Sequence, residues 1–151
     1  MSAKNKRTVA DIVIDSLLRH GVEVMFSQSL PSAVLLAAER RNITQFMYRT
    51  ENAGTVMADG YARTSGKVGV VSAQNGPAAT LLVPGLAEAL KVSVPIVAIV
   101  QDVVRTQTDR NAFQEFDHIA LFQGACLYQQ CSNGTAAFFK ARLNNDALCR
   151  S

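Results

Sequence analysis

Several residue types that commonly anchor a functional site are scarce in this sequence. Its 151 residues include no tryptophan, two histidines and three cysteines. Cys126, Cys131 and Cys149 lie late in the chain, without a CxxC spacing and without a histidine near them. This arrangement predicts neither a zinc site nor a disulfide framework, so we expect the chain to bind no metal. The two histidines, His20 and His118, are both expected to be structural.

Concentrated charge and long apolar segments are missing as well. The net charge is only +3, and the one basic cluster, formed by Lys4, Lys6 and Arg7, contains no aromatic residue. This differs from the pattern of a nucleic-acid-binding surface. No apolar run approaches the ~20 residues that a helix needs to cross a bilayer, and the sequence does not open on a signal-peptide pattern. We therefore expect a cytoplasmic protein with no nucleic-acid or membrane partner.

Short apolar segments of strand length alternate with segments of helical period. Strands are predicted at residues 22–26, 45–49, 68–73 and 94–100, and helices at residues 8–20, 32–40, 51–65 and 78–90. Pro84 and Gly85 predict a kink inside the last of these helices. The length and the alternation predict one α/β domain, in which a doubly wound, mostly parallel sheet carries helices on both faces.

Ligands of such sheets bind beyond the carboxyl ends of the strands. This rule selects four loops, at residues 27–31, 50–51 and 74–77 and from Gln101 onward. Residues 102–114 form the longest stretch without a regular apolar period, and loops of that length are usually functional or mobile. Ordinary connecting loops are also polar, so their position alone leaves a purely structural interpretation open.

The stretch that ends at Gly66 contains a helix with an unusual start and an unusual face. Thr50 is the predicted N-cap, Glu51 is the first helical residue and Gly66 is the terminator. The small residues of the helix are Ala53, Gly54, Ala58, Gly60 and Ala62. Because glycine in a helix costs about 1 kcal/mol relative to alanine, we expect close approach to a sheet, a partner subunit or a cofactor. A glutamate at this position could also serve only the helix dipole.

This stretch resembles a known family. Arg49-Thr50-Glu51-Asn52-Ala53, residues 57–63 and Gly66-Lys67 are similar to the pyrimidine-binding domain of thiamine-diphosphate (ThDP) enzymes, and most of all to the acetolactate synthase group. The resemblance implies the ThDP-binding fold, with ThDP as the cofactor. It also implies that Glu51 is catalytic and activates the aminopyrimidine ring of the cofactor.

The loop after the third predicted strand extends the resemblance. Residues 74–80 are similar to the family loop whose backbone approaches the aminopyrimidine. The resemblance implies that Asn75, Gly76 and Pro77 bind the cofactor.

A later motif points to an active site shared between subunits. Residues 111–115, with the sequence NAFQE, are similar to a family motif in which a phenylalanine and a glutamine reach an active site formed with the partner subunit. The resemblance implies that Phe113 and Gln114 line the site and that Gln114 is catalytic. The alternative is a polar loop running into a helix, with Phe113 as a hydrophobic staple.

The chain departs from the family in two places that bear on function. Residues 26–32 stand where acetolactate synthases usually carry a turn rich in glycine and proline, although Ser27 and Gln28 are still expected to line the active site. The Gly-Asp-Gly pattern with a downstream asparagine, which holds Mg²⁺ and the diphosphate in this superfamily, is not found. We therefore expect Mg²⁺ on a separate domain, and we expect the isolated chain to be inactive.

The resemblance also defines the predicted domain organisation. It covers residues 8–124 and follows a polar tail at residues 1–7. Residues 125–151 continue no family pattern and are interpreted as a tail from a truncation or an altered reading frame. Apolar residues recur at helical spacing between positions 136 and 147, which favours a terminal helix.

These observations predict the pyrimidine-binding domain of an acetolactate-synthase-like, ThDP-dependent carboligase or decarboxylase of 2-oxo acids, a transferase or lyase. The resemblance implies a homodimer or homotetramer, a diphosphate-binding domain or subunit, a small 2-oxo acid substrate and, in a full-length relative, FAD. Two alternatives stay open. The chain could be a stand-alone non-catalytic subunit that pairs with a separate diphosphate-binding chain, or it could serve only as a dimerisation module.

Overall fold

The computed structural model describes residues 7–132 and 136–141. Helices and strands alternate along the chain, as predicted, through the fourth strand. The elements are α1 (Val9–Arg19), β1 (Val24–Ser27), α2 (Ser32–Arg40), β2 (Thr44–Met47), α3 (Glu51–Ser65), β3 (Gly69–Ala73), α4 (Pro77–Thr80), α5 (Val83–Lys91), β4 (Ile96–Val100), α6 (His118–Phe122), β5 (Tyr128–Ser132) and β6 (Ala136–Ala141). A 3₁₀ turn at Arg105–Gln107 lies in the long segment between β4 and α6.

The strands form one sheet in the order β2-β1-β3-β4-β6-β5. β1 pairs in parallel with β2 and with β3, and β3 pairs in parallel with β4. β6 runs antiparallel to β4, and β5 runs antiparallel to β6. The prediction of a mostly parallel sheet is confirmed for β1 to β4, and the antiparallel pairing is confined to one side.

Helices cover both faces of this sheet. Successive strand residues point to opposite faces. Val70 and Ile99 pack in one apolar cluster with α1 and α2, whereas Val71 and Ala98 pack in a second cluster with α3 and α5. All residues of β3 are buried, as expected for a central parallel strand. The predicted doubly wound fold is therefore confirmed.

Local capping signals define the ends of α1 and α3. Thr8 and Asp11 form a reciprocal capping box at the start of α1. Thr50 caps α3 by accepting from the amide of Ala53, and Gly66 ends the helix with a φ of 69°. A left-handed φ is most easily adopted by glycine, so the predicted terminator has the expected conformation.

The segment predicted to form one kinked helix at residues 78–90 is two helices, and that prediction is corrected. α4 ends at Thr80 and α5 begins at Val83. Pro84 has no amide hydrogen to donate to the carbonyl of Thr80, and its ring would collide with that carbonyl in a continuous helix. The chain instead places Pro84 in the first turn of α5, where proline needs no intrahelical bond.

The small residues of α3 allow its backbone to approach the sheet. A Cβ at Gly54 would lie 2.3 Å from Tyr48 Cδ1, in the segment after β2. A Cβ at Gly69 of β3 would lie 2.3 Å from the carbonyl oxygen of Ala58. Gly60 has open space around it. A sheet, a partner subunit or a cofactor was expected to approach this helix closely. The sheet and the segment after β2 explain the close approach at Gly54 and Ala58.

The described part of the C-terminal tail forms strands, so the terminal helix favoured by the apolar spacing is wrong for residues 136–141. β5 and β6 form an antiparallel hairpin that pairs with β4. Without this hairpin, β4 would leave a row of unpaired backbone groups at the edge of the sheet. The adjacent Phe138 and Phe139 are residues enriched in strands. Residues 142–147 lie outside the described residues.

Candidate functional site

Hydrogen bonds between the carboxyl ends of β1 and β2 place the start of α3. The amide of Tyr48 donates to the carbonyl of Ser27 at 3.2 Å, and Gln28 Nε2 donates to the carbonyl of Arg49 at 2.9 Å. β1 lies between β2 and β3 in the sheet. The chain passes from β1 to β2 on one side and then returns to place β3 on the other side, so the strand order reverses beside β1. Ligands of doubly wound sheets bind at such a switch point. Ser27 and Gln28 thus adjoin the segment that leads into Glu51.

Tyr48 connects the same junction to β3. Its side chain is buried, its ring lies against the backbone of Gly54, and its hydroxyl donates to the carbonyl of Ser72. Burial, and secondarily the charge of Glu51, raise the pKa of Tyr48 far above its ordinary value. The hydroxyl therefore stays protonated and holds the residues before α3 against the sheet.

Glu51 is the first residue of α3 and is half-buried. Its backbone carbonyl accepts from Thr55 Oγ1 at 3.0 Å. Its carboxylate has no hydrogen bond or ion pair with any residue in the ranges 7–132 and 136–141. The helix dipole favours a negative charge at this position. The carboxylate is thus held on a rigid element and is available to a ligand.

A second set of contacts forms beyond β3. Asn75 is buried, and its Nδ2 donates to the carbonyl of Gln114 at 3.0 Å. Gln74 Nε2 donates to Gln114 Oε1 at 2.6 Å. Gly76 has a φ of 65°, and a Cβ there would lie 2.8 Å from the carbonyl oxygen of Gln114. Glycine is therefore required at position 76 on both conformational and steric grounds.

His118 completes this second set, although it was expected to be only structural. Its side chain is 3% exposed, and its Nε2 accepts from the amide of Gly76 at 3.0 Å. Burial lowers the pKa of His118, and the charges of Asp102 and Asp117 oppose that shift. Gly76 and His118 are 42 positions apart. No spacing rule connects residues at that separation, so sequence reasoning had no signal for this contact.

The site residues therefore fall into two groups. The Glu51 group consists of Ser27, Gln28, Tyr48 and Glu51. The Gly76 group consists of Gln74, Asn75, Gly76, Gln114 and His118. Within the described ranges, no side-chain hydrogen bond joins one group to the other. Tyr48 bonds to Ser72 of β3, which belongs to neither group.

Two predicted site residues lie outside both groups, and Ser27 of the Glu51 group has an unsatisfied hydroxyl. Phe113 is 84% exposed, and Pro77 is exposed at the first position of α4. Ser27 is buried, and its hydroxyl has no hydrogen-bond partner among the described residues. The structure thus brings Gln114 to the predicted cofactor loop but leaves Phe113 beside it without a packed environment.

Other chemical features of the described residues lie outside these two groups. Cys126 carries a buried free thiol, and burial raises its pKa to about 12. In residues 7–132 and 136–141, no cluster of three or more His, Cys, Asp or Glu side chains is placed to hold a metal ion. None of the helices in that part of the chain has the length and apolar character needed to span a membrane.

The fold and the two groups define a doubly wound α/β domain with a carboxylate and a glycine turn at its ligand-binding edge. Over residues 7–121, the sequence matches the family described as thiamine pyrophosphate enzyme, N-terminal TPP binding domain. The chain belongs to this family. Thiamine pyrophosphate is ThDP, so the resemblance inferred from the sequence is confirmed.

The chain is also similar to acetolactate synthases. The chain is 43% identical over 121 residues to acetolactate synthase from Arthrospira platensis, covering 76% of this chain and 21% of the relative. It is 44% identical over 115 residues to the chloroplastic acetolactate synthase of Arabidopsis thaliana, covering 72% of this chain and 17% of the relative. The chain thus spans about a fifth of the length of these relatives. It is an acetolactate-synthase-like N-terminal domain.

Proposed function

We propose that this chain supplies the pyrimidine-binding half of a ThDP site in an acetolactate-synthase-like carboligase or decarboxylase of 2-oxo acids, with Glu51 as the proton-exchanging carboxyl. The observation that carries the proposal is the half-buried Glu51 carboxylate, which has no partner in the described part of the chain. The fold itself makes no use of this charge, and side chains of that kind are common where a residue serves a ligand and not stability.

The residues of the Glu51 group fit an aminopyrimidine. The edge of such a ring carries nitrogen atoms, and a carboxyl can exchange a proton with one of them. When bound, the cofactor supplies an electron sink for cleavage of the bond beside the substrate carbonyl. Glu51 holds the proton at the ring nitrogen, while Tyr48 and Gln28 keep the backbone before Glu51 in place. A carboxyl fixed in this way needs little reorganisation during proton transfer.

The Gly76 group supports a role in shaping the site. We propose that the backbone of Asn75, Gly76 and Pro77 lies against the cofactor ring. Gly76 lets this turn approach closely because it has no side chain, and Gln114 is held beside the turn by two hydrogen bonds. Gln114 then faces the substrate, and the exposed Phe113 is available to the substrate or to a partner subunit.

The remaining parts of the site are proposed to come from other protein. Val56, Met57 and Leu81 are exposed large apolar residues on and near α3, and such surfaces commonly meet another protein. We propose a homodimer or homotetramer, with Mg²⁺ and the diphosphate on a separate domain or subunit. A small 2-oxo acid is the proposed substrate, FAD is proposed only for a longer relative, and the cytoplasm stays the predicted location.

The β5–β6 hairpin favours a second candidate function. By pairing with β4, the hairpin covers what would otherwise be an open edge of the sheet. Covered edges protect a domain from aggregation. This feature suits a stand-alone non-catalytic subunit or dimerisation module that pairs with a separate diphosphate-binding chain. In that case Glu51 still faces the cofactor, but turnover requires the second chain.

The proposal is tested by titrating the full chain with thiamine, which carries the aminopyrimidine without the diphosphate. We expect the largest shifts of backbone amide NMR signals at residues 49–53 and 74–76. Glu51→Gln should weaken binding by about tenfold or more, because a hydrogen bond to a charged group contributes about 1.5 to 3 kcal/mol. The matched control is Glu39→Gln, an exposed glutamate on α2, which should bind thiamine as the unmodified chain does. Equal affinity for the Glu51 variant, or shifts confined to other regions, would contradict the proposal.

A further inference from the structure

Three separate segments meet at the buried imidazole of His118. The amide of Gly76, in the turn after β3, donates to Nε2 at 3.0 Å. Asp102, just after β4, has its Oδ1 at 3.8 Å from Nδ1. Phe116, in the segment that leads into α6, has its ring centroid 6.0 Å from that of the imidazole. His118 therefore joins the ends of two neighbouring strands to the segment that follows Gln114.

These contacts determine which nitrogen carries the proton. Nε2 accepts a hydrogen bond from Gly76, so it must keep its lone pair and cannot be protonated. In the neutral imidazole the proton then lies on Nδ1. That atom is buried, and the distance to Asp102 Oδ1 is too long for a direct hydrogen bond but short enough for an attractive charge interaction.

We propose that His118 is a positioning residue, a neutral imidazole protonated on Nδ1 whose Nε2 holds the Gly76 amide and so keeps the Gln74–Gly76 turn and Gln114 in the geometry of the cofactor site. Only the last clause, that this geometry serves a cofactor, rests on the proposed function. The hydrogen bond and the tautomer belong to the chain itself.

The positioning has a defined dependence on pH. A protonated imidazole has no lone pair, so Nε2–H would face the Gly76 N–H and the hydrogen bond would be lost. Burial favours the neutral form, and Asp102 and Asp117 favour the charged form, with burial the larger influence on the pKa. Asp109 and Glu115 line the same groove as His118 and add negative charge there.

Acidification is expected to lower the stability of the chain through His118. The pKa of His118 lies below its ordinary value of 6.5, so the unfolded chain binds more protons than the folded chain between the two values. Stability, and the protection of the Gly76 amide, are therefore complete above the ordinary value. Stability decreases as the pH is lowered from the ordinary value to the pKa of folded His118, and the Gly76 protection is lost as folded His118 takes up its proton.

The first test uses NMR on the full chain without any cofactor. Imidazole ¹⁵N shifts should identify the Nδ1–H tautomer of His118, and the Gly76 amide should exchange slowly with solvent. On acidification, that protection should be lost together with the titration of His118. An Nε2–H tautomer would overturn the proposal, and so would Gly76 protection that does not change while His118 titrates.

Two substitutions sharpen the test. His118→Gln keeps an acceptor that does not titrate, so the Gly76 amide should stay protected at acidic pH. His118→Phe keeps a planar ring but removes the acceptor, so Gly76 exchange should be faster by about tenfold or more. His20→Gln, which changes the other, exposed histidine, is the matched control and should leave Gly76 exchange as it was. Unchanged Gly76 exchange in His118→Phe would contradict the proposal. If that variant does not fold, two other measurements decide: the tautomer of His118 in the unmodified chain, and Gly76 exchange at acidic pH in the unmodified chain beside His118→Gln.

A thiamine titration separates this inference from the proposed function. If His118 positions the turn for a cofactor, His118→Phe should weaken thiamine binding and His118→Gln should restore it. Equal thiamine binding by both variants would overturn the positioning role, even with the hydrogen bond present. If the unmodified chain shows the hydrogen bond and its pH dependence but no response to thiamine, the proposed function fails, the cofactor clause fails with it, and the His118–Gly76 contact stands.

Discussion

The Glu51 group and the Gly76 group occupy neighbouring strand ends but are built in different ways. The Glu51 group is held mainly by contacts with backbone carbonyls of adjacent strands, such as those from Tyr48 and Gln28. The Gly76 group is held by residues that come from the chain after β4, through the backbone carbonyl and side chain of Gln114 and the imidazole of His118. One group thus depends on the sheet, and the other depends on a long loop.

The two groups also differ in which of their polar groups have hydrogen-bond partners in the protein. Gln74, Asn75 and the amide of Gly76 all have protein partners. The carboxylate of Glu51 has none among the described residues. A satisfied polar network fixes shape, whereas a preorganised group without a partner is free for chemistry. This difference supports our proposal that the Glu51 group exchanges the proton and the Gly76 group positions the ring.

The largest effect on this comparison is expected from adding a methyl group inside the Glu51 group. Gly54→Ala should lower the free energy of unfolding by about 1 to 3 kcal/mol, because its Cβ would collide with the ring of Tyr48. Gly60→Ala, in the same helix but with open space around it, should instead raise stability by about 0.5 to 1 kcal/mol. Urea unfolding of both variants measures the difference. Equal effects would mean that α3 does not pack on Tyr48 as described.

The hydroxyl of Tyr48 should have the next largest effect. Tyr48→Phe should lower the free energy of unfolding by about 1 to 2 kcal/mol, because it leaves the buried carbonyl of Ser72 without this donor. Tyr61→Phe is the control, since that hydroxyl donates no hydrogen bond within the described ranges, and it should change stability by less than about 0.5 kcal/mol. A loss of similar size in both variants would remove Tyr48 as the link between β3 and the start of α3.

A smaller effect is expected in the Gly76 group, at Gln114. This residue has a φ of 59°, which favours glycine, and it also makes a side-chain bond to Gln74. Gln114→Gly and Gln114→Ala both lose that bond, so their difference reports the backbone alone. The glycine variant should be more stable than the alanine variant by about 1 kcal/mol in urea unfolding. If alanine were equal or better, the positive φ would be wrong and the Gly76 turn would have a different shape.

The same contrast explains how much could be predicted from sequence. Thr50, Glu51 and Gly66 follow local rules of helix capping, and the structure places each at the expected end of α3. Four strands were predicted from apolar runs, each within two residues of its observed start and end. The expectation that the second of them is buried was wrong, because β2 is the end strand of the sheet and its residues are mostly exposed. Local rules of this kind place Glu51 at the start of α3, but they do not predict the hydrogen bond from Tyr48 to Ser72, which joins residues 24 positions apart.

The parts that sequence reasoning missed depend on distant or ambiguous information. The contact between His118 and Gly76 joins residues far apart in the chain, and a buried histidine has no characteristic spacing. The break before Pro84 depends on the turn that precedes it. Proline has no amide hydrogen, and the sequence does not show whether that turn keeps a helical conformation when the hydrogen bond is missing. The strand at Ala136–Ala141 was read as part of a helix, because short apolar segments fit both periods and only the edge of β4 decides between them.

We propose that the domain itself does not use the Glu51 carboxylate and that this group is held for a ligand. The most direct measurement is the free energy of unfolding of Glu51→Gln at neutral pH, beside the control Glu39→Gln, both by urea unfolding. If the half-buried carboxylate is kept for a ligand and not for stability, removing its charge should leave stability unchanged or raise it. A loss of about 0.3 to 1 kcal/mol confined to the Glu51 variant would show that the residue only complements the dipole of α3, and it would contradict the account.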